Sequence, residues 1–393
     1  MTTLQLQGAP VLVVGAGIMG AGIAQVAAQA GHAVQLFDTR EGAAEQAKAK
    51  LAGTLDGLVV KGKLAADAAA ATLARISPIS ALEQAAGTAL VVEAIVENLD
   101  IKRGLLRQLE GLVSERCVLA SNTSSISVTA LANGLQHPQR LVGMHFFNPV
   151  PLMKLVEVVS GLHTDAAVAD AIFELSKAWG KVPVHAKSTP GFIVNRIARP
   201  YYAETLALLL EQAAPPQVLD ACLKAVGFRM GPCELMDLIG HDTNFAVTNS
   251  VYQANFYDKR FVPSLVQRDM VEGGLLGRKS GRGFYRYPEG VPALPVAVHE
   301  APATARTVTV HGSGPVADWL EAATTLALAA QGWGPARVQD SDWTGLEIDG
   351  ARLALTDGRC AAEQAARAWV VAASSQSATG PLPCTVTVRA VAG

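Results

Sequence analysis

The stretch Val11-Leu12-Val13-Val14-Gly15-Ala16-Gly17-Ile18-Met19-Gly20 joins a short apolar run to three glycines with the spacing GxGxxG. An apolar run rich in β-branched residues is typical of a central strand in a parallel sheet. Gly15 allows a tight turn, Gly17 lets the backbone approach a pyrophosphate, and Gly20 lets a helix pack closely on the strand. The stretch therefore predicts a strand, a turn and a helix that bind a dinucleotide.

The residues that follow strengthen this prediction. An alanine-rich helical segment continues to Gln29, and Gly31 ends it as a helix C-cap does. A second strand is predicted at 33–37, and Asp38 stands at its end. An acidic side chain there accepts both ribose hydroxyls of an adenosine and repels a 2′-phosphate, so the sequence favours NAD over NADP despite Arg40 nearby. A lone GxGxxG is a weak signal, but this whole context is a specific one.

Composition excludes several classes of protein. Thirty-two Lys and Arg against 34 Asp and Glu give no field that favours nucleic acid or an anionic membrane. No apolar run reaches about 18 residues, and the first residues lack the features of a secretory signal. The five cysteines show no CxxC spacing, which argues against a metal site or disulfide framework and fits a reducing compartment. We expect a cytoplasmic protein without metal, nucleic-acid or membrane partners.

The pattern of predicted elements indicates the domain organisation. Strands and helices alternate from residue 11 to about 187, as in a doubly wound α/β sheet of the Rossmann type. Helical spacing then prevails to about residue 261, and a helical domain beside a nucleotide-binding domain leaves a cleft for a substrate. We predict a Rossmann domain at 8–188, an all-α domain at 189–287, a linker at 288–303, and a small α+β extension at 304–393 with a βαβ-like pattern at 307–355 and a disordered tail.

Polar residues follow three of the apolar strands. In open parallel sheets, ligands bind beyond the carboxyl ends of the strands. Ser, Thr and Asn are also good helix N-caps, but the serine-rich run holds more of them than one cap needs. The three segments are Val96-Glu97-Asn98 with Lys102 after it, Ser121-Asn122-Thr123-Ser124-Ser125, and Met144-His145-Phe146-Phe147-Asn148-Pro149.

His145 and Glu157 are polar side chains at positions where the sequence predicts burial, which costs free energy. His145 ends one apolar run, and Glu157 interrupts the next, Leu155-Val156-Glu157-Val158-Val159. A buried ionised carboxylate is strongly unfavourable unless something pairs with it. Histidine side chains titrate near neutral pH. We therefore predict that the two residues pair and handle a proton.

Two further polar positions have both a structural and a functional interpretation. Asn195 lies at the start of the helical part, where a junction hydrogen bond is as good an explanation as a substrate contact. Lys61 and Lys63 flank Gly62 in the turn between two predicted helices. A solvated basic turn is the simpler interpretation, and contact with a phosphorylated substrate is the alternative. Residue type alone leaves both positions open.

Seven segments of the chain occur in a recognisable order: GAGIMGAGIAQ (15–25), VEAIVEN (92–98), ASNTSSIS (120–127), MHFFNPVPLMKLVEVVSG (144–161), TPGFIVNR (189–196), MGPCELMDLIG (230–240) and GRKSGRGFY (277–285). Together they resemble L-3-hydroxyacyl-CoA dehydrogenases over residues 8–287. Within that family, STPGFIVNRIARPYY (188–202) and GHDTNFAVT (240–248) look most like bacterial enzymes of phenylacetate catabolism that oxidise 3-hydroxyadipyl-CoA. These enzymes usually continue into a linking module, which LALTDGR at 353–359 resembles, and then a second copy of the helical domain; the ending after Cys360 departs from that pattern.

The resemblance implies roles for individual residues. His145 is the implied catalytic base and Glu157 its partner, and Ser124 and Asn195 bind the 3-oxygen of the substrate. Lys61 matches a position near the phosphates of CoA. The implied NAD contacts are Gly15, Gly17, Ile18, Met19, Gly20, Asp38, Glu97, Lys102, Asn122, Ser124 and Asn148.

The expected function is NAD-dependent oxidation of an L-3-hydroxyacyl-CoA, such as 3-hydroxyadipyl-CoA or 3-hydroxybutyryl-CoA, in phenylacetate catabolism or fatty acid β-oxidation. Two alternatives stay open: a dehydrogenase of a free hydroxy or sugar acid on the same scaffold, and a non-catalytic NAD-binding protein like some lens crystallins. The presence of His145, Glu157, Ser124 and Asn195 together weighs against the second. A CoA thioester is the expected partner, and a homodimer through the helical domain is the expected assembly.

Overall fold

The computed structural model describes residues 4–293, 305–355 and 385–388. They form two compact units. One holds the described residues of Met1–Arg199 and Val247–Phe261, and the other those of Pro200–Ala246 and Val262–Gly393. The domain boundaries predicted above stay predictions. Residues 294–303 of the linker, and 304, 356–384 and 389–393 of the extension, lie outside the described residues.

The first unit is built on one sheet. Its strands are β1 (Val11–Val14), β2 (Val34–Phe37), β3 (Ile76–Pro78), β4 (Leu90–Glu93), β5 (Val118–Ser121), β6 (Leu141–Phe146), β7 (Leu155–Ser160) and β8 (Val182–Lys187). Their order across the sheet is β3-β2-β1-β4-β5-β6-β7-β8. All neighbours are parallel except β6 and β7, which are antiparallel. The strand order reverses between β1 and β4, and doubly wound sheets bind ligands beyond the strand ends at such a point.

Helices connect and cover these strands. In chain order they are α1 (Ile18–Gln29), α2 (Ala43–Val60), α3 (Ala66–Ala74), α4 (Leu99–Leu112), α5 (Val128–Ala132), α6 (Ala166–Ala178), α7 (Val194–Leu210), α8 (Pro216–Ala225), α9 (Pro232–Ile239), α10 (His241–Ala254), α11 (Leu265–Glu272) and α12 (Pro315–Leu328). Short 3₁₀ turns lie at Leu82–Ala85, Pro138–Arg140, Lys259–Phe261, Arg278–Ser280 and Ala329–Gln331. Among the residues that the structure describes, no helix combines the length and apolar character that crossing a bilayer requires.

Strand β1 shows why the sequences of these strands are unbroken apolar runs. Val11 and Val13 belong to one hydrophobic cluster, and Leu12 and Val14 belong to another. Successive side chains of a strand point to opposite faces, so both faces of the sheet are buried here. The doubly wound α/β fold predicted from the sequence is confirmed, as are the helical part and the small final sheet.

The final sheet belongs to the second unit. Its strands are β9 (Val308–His311), β10 (Ala336–Val338), β11 (Gly345–Ile348), β12 (Ala351–Leu355) and β13 (Thr385–Val388), in the order β10-β9-β11-β12-β13. Strands β9 and β10 are parallel and are joined by α12, so the βαβ pattern predicted at 307–355 is confirmed. Strand β13 pairs with β12, although no pattern in the sequence predicted it.

A buried aspartate organises the helical part of the second unit. Asp237 is fully buried, and its carboxylate accepts hydrogen bonds from His241 Nε2 at 2.8 Å and the Tyr287 hydroxyl at 2.9 Å. It also accepts the backbone N–H groups of Phe284 at 2.9 Å and Tyr285 at 3.0 Å. Asp237 thus joins α9 to the segment that follows the 3₁₀ turn at 278–280.

Candidate active site

The glycine turn between β1 and α1 leaves space for a phosphate group. A Cβ atom on Gly20 would overlap the carbonyl oxygen of Gly15, so the close approach of helix and turn requires glycine there. A Cβ on Gly17 would meet no atom within 4 Å, and no side chain caps the helix that begins after it. Free backbone N–H groups at a helix N-terminus attract anions. These observations fit the pyrophosphate of a dinucleotide, with Ile18 and Met19 in the first turn of the helix.

Asp38 is held at the same turn. The backbone N–H of Ala16 donates to Asp38 Oδ2 at 2.8 Å. The Arg40 side chain forms a two-pronged ion pair with the carboxylate, with distances of 3.0 Å from Nε to Oδ1 and 3.1 Å from Nη2 to Oδ2. The hydrogen bond from the Arg40 side chain lowers the pKa of Asp38 to about 2. The carboxylate is therefore ionised at neutral pH, as an acceptor for ribose hydroxyls should be.

Lys102 is buried between two carboxylates. Its ammonium lies 2.6 Å from Glu93 Oε1 and 3.3 Å from Glu97 Oε2. Glu93 also accepts the Ser121 hydroxyl at 2.6 Å and the backbone N–H of Ile95 at 2.8 Å. Because buried charges are tolerated only when they are paired, this cluster ties the ends of β4 and β5 to α4.

Glu97 organises the serine-rich segment after β5. Its Oε1 accepts the Thr123 hydroxyl at 2.7 Å, the Ser124 N–H at 2.9 Å, and the N–H and hydroxyl of Ser125, each at 3.0 Å. Burial opposes ionisation of Glu97, but Lys102 and these donors outweigh burial and lower the pKa of the carboxyl. The segment is thus wrapped around one carboxylate, which explains why it has more polar residues than a helix cap needs.

Two asparagines connect this segment to neighbouring elements. Asn122 Oδ1 accepts the backbone N–H of Phe146 at 2.8 Å and so fixes the end of β6, next to His145. Asn195 Nδ2 lies 3.4 Å from the carbonyl oxygen of Ser124, to which it donates. The structure therefore brings Asn122, Ser124 and Asn195 together near the end of β6.

His145 and Glu157 form the predicted pair. They are direct partners across the antiparallel strands β6 and β7, and His145 Nδ1 lies 2.6 Å from Glu157 Oε2. Both side chains are buried. The rings of Phe147 and Phe192 pack against the imidazole, with centroid distances of 4.5 and 5.8 Å. The imidazole is thus held on several sides by its strand partner and by aromatic rings.

The second oxygen of Glu157 accepts from the start of α7. The backbone N–H groups of Ile193 and Val194 donate to Glu157 Oε1 at 3.0 and 2.9 Å. Gly191 and Phe192 reach this position with φ angles of 76° and 46°, in the left-handed region that bulky residues seldom adopt. Strain of this kind persists where the surrounding structure enforces it, often at functional sites.

These contacts set the protonation of the pair. Burial opposes ionisation of Glu157, but the hydrogen bonds from His145, Val194 and Ile193 outweigh burial and lower the pKa of its carboxyl. An ionised Glu157 is an acceptor only, so the proton of a neutral imidazole lies on Nδ1. Among the described residues none is hydrogen-bonded to Nε2 of His145, which is left as a free acceptor.

Two predicted residues stand apart from this network. Lys61 is exposed at the C-terminal end of α2. Asn148 is exposed in the segment between β6 and β7. Neither side chain has a described hydrogen bond to the other predicted site residues. Their roles at a cofactor or substrate stay predictions.

Three features of the site were not predicted: the role of Glu93, the ion pair between Asp38 and Arg40, and the contact of Phe192 with His145. Glu93 gave a signal, because it is an acidic residue within an otherwise apolar strand, as Glu157 is. The Asp38–Arg40 pair could be suspected from its spacing alone. The contact of Phe192 with His145 had no sequence signal, because the two residues are 47 positions apart and meet only in the folded protein.

Comparisons match most of the chain to known proteins. Residues 10–189 match the family model for the NAD binding domain of 3-hydroxyacyl-CoA dehydrogenase, and residues 191–287 match the model for its C-terminal domain. The 3-hydroxyadipyl-CoA dehydrogenase of Escherichia coli (strain K12) is 51% identical over 276 residues, which are 70% of this chain and 58% of that protein. A probable 3-hydroxybutyryl-CoA dehydrogenase of Deinococcus radiodurans is 44% identical over 70% of this chain and 99% of its own.

A solved structure is similar over a larger part of the chain. The crystal structure of 3-hydroxybutyryl-CoA dehydrogenase from Escherichia coli K12 substr. MG1655 gives a TM-score of 0.75 at 39% identity. The match covers 98% of this chain and 80% of that one. The similarity therefore includes the fold beyond residue 287.

Proposed function

Because the chain belongs to the 3-hydroxyacyl-CoA dehydrogenase family, we propose that it oxidises an L-3-hydroxyacyl-CoA to the 3-oxoacyl-CoA with NAD, using His145 as the base. The observation that carries this proposal is the 2.6 Å contact between His145 Nδ1 and Glu157 Oε2, which leaves Nε2 free to accept a proton. NAD is the cofactor of the matched N-terminal domain. When bound, it supplies the acceptor for the hydride of the alcohol carbon.

His145 removes the proton that this oxidation releases. As the 3-hydroxyl becomes a carbonyl, its proton passes to Nε2, and the imidazole becomes a cation. A positioned base of this kind contributes roughly 10²–10⁴-fold to the rate. In the reverse direction the same nitrogen returns the proton to the forming hydroxyl.

Glu157 orients the imidazole and stabilises its charged form. Its Oε2 accepts from Nδ1, so the tautomer with a basic Nε2 is favoured. Its Oε1 is held by Ile193 and Val194, which prevents the carboxylate from turning away. The lowered pKa of Glu157 supports this role, because a negative charge beside the ring favours the imidazolium.

Ser124 and Asn195 position the 3-oxygen of the substrate. Asn195 Nδ2 donates to the backbone carbonyl oxygen of Ser124 at 3.4 Å, and the Ser124 N–H donates to Glu97 Oε1; both contacts support a preorganised polar pair. Donors that are already in place cost no reorganisation during the reaction.

The remaining predicted contacts divide between the cofactor and CoA. We propose that NAD contacts Gly15, Gly17 and Gly20 together with Ile18 and Met19. Its adenine ribose contacts Asp38. The residues on its nicotinamide side are Glu97, Lys102, Asn122, Ser124 and Asn148. The uncapped helix after Gly17 supports the first assignment. We assign Lys61 to the CoA phosphates, because an exposed ammonium binds phosphate as a point charge.

The proposed acyl group is 3-hydroxyadipyl or 3-hydroxybutyryl. The names of the two relatives described above support these two substrates. We also propose a cytoplasmic homodimer, formed through the helical domain, that serves phenylacetate catabolism or fatty acid β-oxidation. Light scattering tests the assembly, with a mass twice that of the chain expected and a monomer as the contrary result.

A panel of substrates tests the reaction. The purified protein is mixed with NAD and either 3-hydroxyadipyl-CoA, 3-hydroxybutyryl-CoA or free 3-hydroxybutyrate, and NADH absorbance is followed. We expect turnover of CoA esters, loss of it in His145→Gln, and unchanged turnover in His163→Gln, which alters an exposed histidine. NADH from the free acid but from neither ester would overturn the proposal.

A further inference from the structure

The carboxylate of Asp38 has no acceptor position left. Oδ1 accepts the backbone N–H of Arg40 at 3.0 Å and its Nε at 3.0 Å. Oδ2 accepts the backbone N–H of Ala16 at 2.8 Å and Nη2 of Arg40 at 3.1 Å. An ionised carboxylate offers about four lone-pair positions, and these four donors use all of them.

Two of the four donors are fixed and two are mobile. The N–H groups of Ala16 and Arg40 belong to the backbone of the turns after β1 and β2. The guanidinium belongs to a side chain that is 73% exposed, whereas that of Asp38 is 10% exposed. The guanidinium alone can therefore leave without a change in the backbone.

A ribose diol needs the positions that the guanidinium holds. If Asp38 binds the 2′- and 3′-hydroxyls of an adenosine, each hydroxyl must donate to a carboxylate lone pair. The side chain of Arg40 occupies one acceptor position on each oxygen of the Asp38 carboxylate. Only these two positions become available when the guanidinium leaves. The cofactor and the side chain of Arg40 thus seek the same acceptors.

We infer that Arg40 competes with the adenosine ribose of the cofactor for Asp38 and thereby sets the preference between NAD and NADP. This inference rests on the assignment of Asp38 to the ribose under the proposed function. With NADH, release of the guanidinium is a cost that weakens binding. With NADPH, the released guanidinium can pair with the 2′-phosphate, which Asp38 alone would repel.

The chain offers a matched control for this inference. Asp258 and Arg260 repeat the arrangement at the same spacing, with 3.0 Å from the backbone N of Arg260 to Asp258 Oδ1 and 2.7 Å from its Nη2 to Oδ2. The side chain of Arg260 is 68% exposed. Arg260→Ala therefore removes an exposed ion pair of the same kind, at a residue that has no assigned role in cofactor binding.

The experiment measures Kd values for NADH and NADPH by fluorescence titration of the full chain. We expect Arg40→Ala to bind NADH about two- to fivefold more tightly, the range that exposed ion pairs contribute. We expect Arg40→Ala to bind NADPH more weakly than wild type does. The Kd for NADPH divided by the Kd for NADH should therefore rise on the order of tenfold, as loss of a charge-assisted hydrogen bond predicts. Arg40→Lys keeps the positive charge but lacks the two-pronged geometry of a guanidinium. It should therefore retain NADPH binding and show an NADH affinity between those of wild type and Arg40→Ala.

Three results would overturn the inference. If Arg40→Ala, Arg260→Ala and wild type bound NADH with equal affinity, the ion pair between Arg40 and Asp38 would not oppose NADH binding. Weaker NADH binding would show that Arg40 contacts the cofactor instead of competing with it. Absence of NADH binding in wild type would overturn the cofactor assignment itself, and is distinguishable because no variant would then bind.

Discussion

Glu157 and His145 are direct partners in the antiparallel pairing of β6 and β7, and this register places the carboxylate against Nδ1 of the imidazole. A shift of one residue in either strand would turn one of the two side chains to the opposite face of the sheet. Strands β7 and β8 run opposite to the other six strands, so the change of direction between β6 and β7 has a direct consequence for the site. It brings an anion to a histidine at the edge where the parallel strands end.

Glu157→Gln should lower kcat by about 10²–10⁴-fold while NADH affinity is retained. A glutamine side chain has one acceptor oxygen, and the N–H groups of Ile193 and Val194 would donate their hydrogen bonds to it. Its NH₂ group would then face Nδ1 and favour the tautomer with hydrogen on Nε2, which cannot take a proton. Steady-state kinetics and NADH titration measure the two quantities.

Glu174→Gln is the control for this change, because Glu174 is an exposed residue that forms an ion pair with Lys177 on α6. It should leave kcat unchanged. If Glu157→Gln lowered kcat by less than about threefold, which is about 0.65 kcal/mol in the barrier, the pairing would not contribute to catalysis.

Lys102→Met should destabilise the protein by about 3–5 kcal/mol, because it leaves the buried carboxylate of Glu93 without its cation. It should also raise the pKa of Glu97, which Lys102 lowers. The double variant Glu93→Gln/Lys102→Met should recover much of the loss, since neither charge remains. Urea denaturation followed by circular dichroism measures the free energies of unfolding.

The exposed pair of Lys177 and Glu174 serves again for comparison, and Lys177→Met should change stability little. Equal loss in the single and double variants would mean that packing, not the uncompensated charge of Glu93, accounts for the effect of Lys102→Met.

The parts of the site that rest on local spacing were predictable from the sequence. The turn at Gly15–Gly20 and the polar ends of β4, β5 and β6 follow from residue types within a few positions. The pairing of Glu157 with His145 was predictable because a carboxylate in a buried strand demands a partner. The N–H groups of Ile193 and Val194 were not, since they meet Glu157 only through a turn with unusual φ angles. Strand β13 was missed because its partner, β12, lies far away in the chain.

Asp237→Asn should reduce stability by about 3–5 kcal/mol at pH 7, because a buried charged network loses its anion. Burial opposes ionisation of Asp237, yet the hydrogen bonds from His241, Tyr285, Phe284 and Tyr287 outweigh burial and lower its pKa. A group with a lowered folded pKa stabilises the protein above its unfolded pKa, about 4, and loses that contribution as the pH falls through the folded value.

The difference in stability between wild type and Asp237→Asn should therefore shrink below about pH 4. Urea denaturation at pH 7, 5, 4 and 3 measures it. Asp269→Asn, at an exposed position, should show no such trend. A difference that stays constant from pH 7 to pH 3 would contradict the role of the ionised carboxylate.

Gly17→Ala and Gly20→Ala should separate binding from folding. At Gly17 the φ angle is −70° and a Cβ would meet no atom within 4 Å, so alanine is compatible with the fold. Its methyl group would nevertheless occupy the space through which a pyrophosphate approaches the backbone. We expect an unchanged or slightly higher Tm and an NADH Kd raised by about tenfold or more, since loss of even one charge-assisted hydrogen bond has that effect.

At Gly20 the added Cβ would overlap the carbonyl oxygen of Gly15, so helix α1 must move away from the turn. We expect Gly20→Ala to lower the Tm as well as the NADH affinity. Thermal unfolding and NADH titration of both variants, side by side with wild type, distinguish the two effects. If Gly17→Ala bound NADH as tightly as wild type, the pyrophosphate would not lie against this turn.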